Sequence, residues 1–413
     1  MFLTLLLPAL AAEPFALQGV DPFLGNVNSV AVATADGQYW FSLQSRDVDG
    51  GANHLWLLRR GADGALGPVN EVGAPLSDPW EFHQPAIAAA SGSWVHLIHR
   101  VDDALGGPTN ELVEIRPFGP YHERYVPAPV LDDGPFLGRR GHASISVHAN
   151  PSVVFACWTR HTKPPFNDDI LARMFTADHH LRRYSLAHDP SATEEHCSSA
   201  IQPDGSVVVV YADGDGDENN LTLRFITPDG TLSPTKVELG SADANFPSLV
   251  GAPDGSLRLV AHTTEPSRVE WTRCDASCDQ AASWAPLEEV SVGVAESIRR
   301  HGAPIVDTAG HDFVAFEAMP PVETLPDARV YITARCADGW ADGQLVDGSA
   351  QGESIGGTNL LRGYPFVSYD PTLDEVGIAY VRDTDLTEAG VHLDAMFAHA
   401  PAQELFDTLC PGG

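Results

Sequence analysis

A unit of about 56 residues recurs along this chain, and that period constrains its fold more than any other feature. Each copy opens with a short apolar strand and a Gly-containing turn. An aromatic-bearing strand, a polar loop, a third strand and another tight turn follow. Ser29 to Gly37 and Gln84 to Gly92 are clear copies, and others begin near His142, Ser198, Asn245, Gly302 and Tyr364. The first-turn positions are Gly37, Gly92, Asn150, Gly205, Gly255, Gly310 and Leu373; second turns carry Asp63-Gly64, Asp229-Gly230 and Asp338-Gly339. Asp-Gly pairs between apolar runs favour tight hairpins, and no segment sustains a helical period. Short antiparallel sheets repeated radially are the blades of a β-propeller. The predicted fold is all-β: a seven-bladed β-propeller of four-stranded antiparallel blades, occupying 13–413 as one domain. The lead-in around Phe15 is expected to complete the last blade.

Residues 1–12 read as a short signal peptide, an apolar run ending in Ala9-x-Ala11, so a secreted or periplasmic location is expected. The chain carries 24 Lys plus Arg against 56 Asp plus Glu, a formal net charge of -32. That balance argues against nucleic acid as a partner, because phosphate binding needs a basic footprint. No apolar run is long enough to insert in a membrane, and a monomer is expected. In an exported chain, six cysteines favour disulfides. Cys274 and Cys278 are the clearest pair, with zinc as the rival reading. The partners of Cys157, Cys197, Cys336 and Cys410 stay open.

Within this acidic background the arginines are clustered. Arg46, Arg100, Arg160 and Arg382 end second strands, while Arg300 and Arg362 precede first strands. His83, His142, His196 and His301 also precede first strands. All are expected on the irregular-loop face, around the mouth of the central channel. The planar guanidinium fork pairs with carboxylate or sulfate, so the mouth is expected to bind an acidic carbohydrate or similar anion. The alternative is pairing with acids such as Asp47, Asp102, Asp103 and Asp383. The four histidines could also ring a metal. Asp213, Asp215 and Asp217 are spaced as in calcium loops, with a solvated acidic hairpin as the other reading; calcium is the one cofactor implied.

The strand, Gly-turn and aromatic-strand pattern, with Asn167-Asp-Asp-Ile170 and Cys274-x3-Cys278-x5-Trp284, resembles secreted bacterial sialidase-like propellers in blade pattern. The resemblance implies a glycoside hydrolase in which arginines clamp a carboxylate, Tyr364 is the nucleophile and Asp47, Asp102 or Asp103 the acid. A polyuronate-lyase-like elimination is the second enzymatic reading, with His142, His301 and Tyr364 moving protons. A non-catalytic propeller binding a glycan or protein on the same face is the alternative function.

Overall fold

The computed structural model describes residues 15–16, 26–46, 53–71, 80–90, 94–103, 112–118, 130–132, 140–147, 153–161, 168–175, 181–187, 193–214, 219–240, 243–295, 298–319, 329–346, 365–383 and 393–411. Their strands pair into seven antiparallel sheets, the blades of a propeller. The innermost strands, in chain order, are Asn26–Ala35, Trp80–Ala90, Arg140–Val147, Thr193–Ile201, Ala244–Gly251, Ile298–Val306 and Phe366–Asp370. Each packs against the next, and the last packs against the first, which closes the ring. We number the sheets by these strands. The sixth departs from the four-stranded expectation: its third strand, Arg329–Cys336, pairs with two short strands, Gly339–Trp340 and Gln344–Leu345, making five. The proposed signal peptide lies outside the described residues.

The sequence builds these sheets through turn chemistry and two-sided burial. In the fourth sheet the first turn is Gln202-Pro-Asp-Gly-Ser206. Gly205 sits at φ 86°, a conformation open to glycine without steric cost, and the Gly205 N–H donates to the Gln202 carbonyl. The Ser206 N–H donates to Asp204 Oδ1 at 2.8 Å, an Asx-type brace. In the seventh sheet the expected turn position, Leu373, is displaced by one: the residue with positive φ is Asp374. The second strand of the fourth sheet begins Val207-Val-Val-Val-Tyr211, and all five are buried. Alternation disappears because each sheet is covered on both faces by its neighbours. Phe155 and Met174 of the third sheet share a cluster with Val207, Val209 and Tyr211 of the fourth.

Three disulfides form: Cys157–Cys197, Cys274–Cys278 and Cys336–Cys410. The first joins the third sheet to the fourth, the second closes a hairpin loop, and the third ties the sixth sheet to the end of a C-terminal helix, Ala402–Leu409. That helix buries Ala402, Leu405 and Leu409 in a cluster shared by the sixth and seventh sheets.

Ring closure is asymmetric in sequence. The strand Phe15–Ala16 pairs with Leu393–Pro401, so both ends of the chain contribute to the seventh sheet. The seam between the seventh and first sheets is polar as well as apolar. Tyr39 and Phe41 meet Phe397 at ring separations of 4.8 and 4.9 Å. Glu375 lies 2.7 Å from His399 Nδ1 and 3.6 Å from Arg60 Nη1, and the Tyr39 hydroxyl donates to the Glu375 carbonyl at 3.2 Å. Burial pushes the Glu375 carboxyl up, but His399 and Arg60 outweigh it and hold the group below its ordinary value. A carboxyl lowered in the folded state stabilises above its unfolded pKa and loses that contribution as pH falls through the folded one. The seam should therefore weaken below about pH 4.3. Glu375→Gln should cost roughly 0.5–1 kcal/mol at neutral pH, a value reduced for solvent screening, and the two proteins should converge in acid. Melting temperature against pH for both proteins checks this; parallel curves down to pH 3 would contradict it.

Candidate functional site at the axial cavity

Every innermost strand from the second to the sixth sheet breaks its ladder at the same level. Two residues there oppose one on the partner strand, as in a β-bulge. The paired residues flanking the break are His83 and Ala86, Gly141 and Ser144, Glu195 and Ser198, Asn245 and Ser248, and Arg300 and Ala303. The first sheet has a shorter irregularity between Val27 and Ser29. The first bulge residue is therefore Gln84, His142, His196, Phe246 or His301, in sheet order. His196, Phe246 and His301 all have positive φ, at 57°, 47° and 52°. Non-glycine residues held there cost on the order of 1 kcal/mol or more, and such positions cluster at functional sites.

The second bulge residue secures each of these positions. Cys197 is bonded to Cys157 of the third sheet, and the His196 N–H donates to Thr159 Oγ1 of that sheet at 3.1 Å. Pro247 follows Phe246; a bulged residue is unpaired in the ladder, so the missing N–H of proline is tolerated. Gly302 follows His301, and a Cβ there would overlap the methyl groups of Val260 and Val269. Glycine is what lets this bulge approach the fifth sheet.

The bulges of the fourth, fifth and sixth sheets open on a cavity of about 330 Å³, lined by residues from all seven innermost strands, among them Ser29, Ala86, Ser144, His196, Phe246 and His301. It is the axial channel. On one side lies an aromatic and imidazole cluster. The Phe246 ring is 3.7 Å from that of His196, 5.0 Å from that of His262, in a stacked arrangement, and 4.8 Å from that of His301, edge-on. His196 Nδ1 lies 2.9 Å from Asn245 Oδ1. His301 Nδ1 lies 2.7 Å from Glu317 Oε2, and those side chains are only 1% and 2% exposed. Tyr211, in the strand facing the fourth bulge, is pushed well up by burial and by Asp213, so its phenol stays neutral.

The structure sorts the sequence-derived candidates. His142, His196 and His301 share one register position, the first bulge residue. His83 does not: it pairs with Arg100 one residue before the bulge, and Gln84 holds the equivalent place. The four histidines expected to act together therefore fall in two registers. The arginines do likewise. Arg160 lies opposite Arg140, one pair beyond the residue before the bulge, whereas Arg100 lies opposite that residue itself. Arg46 lies opposite Asn26, Arg300 opposite Glu317 and Arg382 opposite Asp394. Asp102 pairs with Glu81. The side chains of these arginines, of Asp102, His83 and His142, and all of Arg362 and Tyr364, lie outside the described residues. Asp213 is held by Lys236 at 2.7 Å and by the Thr222 hydroxyl at 3.2 Å; Asp215 and Asp217 lie outside. Among the described residues, no three His, Cys, Asp or Glu side chains are grouped to hold a metal ion. No helix among them is long and apolar enough to cross a membrane.

Phe246, His262 and Glu317 belong to the site but escaped the sequence reading. One signal was present: Phe246-Pro247 and Tyr364-Pro365 repeat an aromatic-proline pair at the start of a unit.

No protein-family model matches the chain, and no curated protein matches its sequence. Solved structures match its fold. An α-L-arabinofuranosidase from Fusarium graminearum, in complex with an iminosugar inhibitor, superposes with a TM-score of 0.51 at 11% identity, covering 75% of this chain and 94% of that one. The NanB sialidase of Streptococcus pneumoniae matches at 0.50 and 10% identity, over 95% of this chain and 71% of that one. An α-L-arabinanase from Penicillium chrysogenum, complexed with arabinobiose, matches at 0.50 and 10%, over 75% and 94%. The likeness is one of fold, shared with sialidase-like and other propeller glycosidases.

Proposed function

We propose that this chain is a seven-bladed, extracytoplasmic propeller that recognises an acidic carbohydrate, or a chemically similar anion, in its axial cavity and acts on it as a glycoside hydrolase or a polyuronate lyase. The observation that carries this reading is the convergence of His196, Phe246 and His301 on one cavity from equivalent bulges of three sheets. An aromatic ring beside imidazoles suits a sugar: the ring takes its apolar face, and the imidazoles take hydroxyls or move protons. The arginines of neighbouring register positions supply the preference for an anion. Fold likeness to glycosidases agrees with the substrate class but does not choose among reactions. Three disulfides suit an oxidising compartment, and the acidic composition suits a soluble monomer that avoids nucleic acid. A calcium ion on the loop of Asp213, Asp215 and Asp217 would have to displace Lys236 from Asp213.

The test is a panel of sialosides, polygalacturonate, alginate and arabinan, scored for reducing-end release, for absorbance of an unsaturated product and for binding. Phe246→Ala and His196→Ala should each weaken binding about tenfold, equivalent to roughly 1.4 kcal/mol, while the melting transition stays cooperative. Binding without turnover would assign the chain the non-catalytic role. Full affinity in both folded variants would place the ligand elsewhere.

A further inference from the structure

Glu317 has no place in the recognition just described, yet its side chain, only 2% exposed, meets a histidine that lines the cavity. It stands on the second strand of the sixth sheet, Asp312–Met319, and pairs in register with Arg300, the residue before the bulge. Its Oε2 lies 2.7 Å from His301 Nδ1. An ionised carboxylate only accepts hydrogen bonds, so with Glu317 ionised and the imidazole neutral the proton stands on Nδ1. That leaves Nε2 as the basic nitrogen. His301 lines the cavity, and its backbone is held at positive φ by the bulge.

From this geometry we infer that Glu317 is a positioning residue: it fixes His301 in the Nδ1–H tautomer, so that Nε2 is the proton-accepting atom of the axial site. The inference rests on the carbohydrate reading only for the identity of the proton donor. A carboxylate behind one imidazole nitrogen is the general device for presenting the other as a base. In the transfer, the proton of a ligand O–H or C–H bond passes to Nε2 and the bonding pair remains on the ligand. The Glu317 carboxylate balances the imidazolium that forms. Among the described residues, His262 of the fifth sheet also stands beside His301, its ring 5.7 Å away and edge-on. Phe246 separates it from His196. Under the proposed function, the ligand group that meets His301 Nε2 is a hydroxyl or an acidic C–H.

The full-length oxidised protein, labelled with ¹⁵N-histidine, tests this without any ligand. Two-bond proton–nitrogen spectra separate the two neutral tautomers, and His301→Asn identifies the His301 signals by their loss. In the wild type the neutral His301 should show protonated Nδ1 and bare Nε2. Glu317→Ala should shift it toward the Nε2–H form, and Glu317→Gln controls for lost volume. An Nε2–H tautomer in the wild type, or a tautomer unmoved in a folded Glu317→Ala protein, would overturn the assignment. Where the panel above yields turnover, Glu317→Ala should lower kcat about 100-fold with KM little changed. A correct tautomer with no turnover on any glycan would sink the enzymatic reading and leave the Glu317 and His301 pair standing.

Discussion

Asp312→Ala should lower the unfolding free energy by about 3–5 kcal/mol, the usual loss when one partner of a buried ion pair is removed. Asp312 opens the second strand of the sixth sheet, and its Oδ1 accepts a hydrogen bond from Arg258 Nε in the second strand of the fifth. Both side chains are 6% exposed. Burial pushes the Asp312 carboxyl up, while the Arg258 guanidinium pulls the other way. Arg258 also donates to Ser256 Oγ at 2.8 Å and to the Leu257 carbonyl at 3.3 Å. The remaining acid within reach, Asp275, sits 4.0 Å away and is 65% exposed. Removing Asp312 therefore strands a guanidinium between two sheets, with neutral acceptors and a solvated carboxylate for company. Replacing both partners by apolar residues, as in Arg258→Met with Asp312→Leu, should recover most of the loss, because the uncompensated charge goes too. Urea unfolding with an unchanged denaturant slope measures both effects. A single variant that costs under about 1 kcal/mol, or a double variant no better than the single, would show that the pair does not join the sheets as argued.

The second large effect is expected at the C-terminus. Cys336 and Cys410 are 74 residues apart in sequence and 5.5 Å apart at Cα. A crosslink over that separation restricts the unfolded chain by about 4 kcal/mol in the chain-entropy account, and native disulfides removed from folded domains cost about 2–5 kcal/mol. The bond lies where the ring is otherwise held by the pairing of Phe15–Ala16 with Leu393–Pro401 and by the C-terminal helix. Cys336→Ser with Cys410→Ser should unfold at clearly lower denaturant, and the protein should lose most of that difference once the wild type is measured in reductant. Equal midpoints in oxidising buffer would mean that the helix alone secures the end of the chain.

What sequence could reveal here follows from which interactions are local. Strands, Asp-Gly turns and the Cys274–Cys278 bond are set within a few residues of each other, so the repeat pattern and the all-β blades were legible. The bond between Cys157 and Cys197 was not, because it depends on the third and fourth sheets lying side by side. The site was half legible for the same kind of reason. Histidines before first strands stood out, and His196 and His301 do line the cavity. A bulge adds a residue without leaving a mark in polarity, so alignment on strand starts grouped His83 with them when Gln84 holds the matching place. Glu317 belongs to no motif of the sequence; it sits in the second strand of its sheet, and only the ladder places it opposite the residue before His301. Phe246 and His262 looked like ordinary strand residues, and their role depends on ring contacts across sheets.

The repeated bulge also bears on how such a molecule can change its ligand. Its first residue hangs outside the hydrogen-bonded ladder, so exchanging that side chain leaves the ladder and its pairing alone. The positions already differ from sheet to sheet, running glutamine, histidine, histidine, phenylalanine and histidine through Gln84, His142, His196, Phe246 and His301. The ring then works like a combination lock with one wheel on each of five sheets: each wheel can turn by a single substitution while the frame that carries it stays put, and new specificities lie one residue apart.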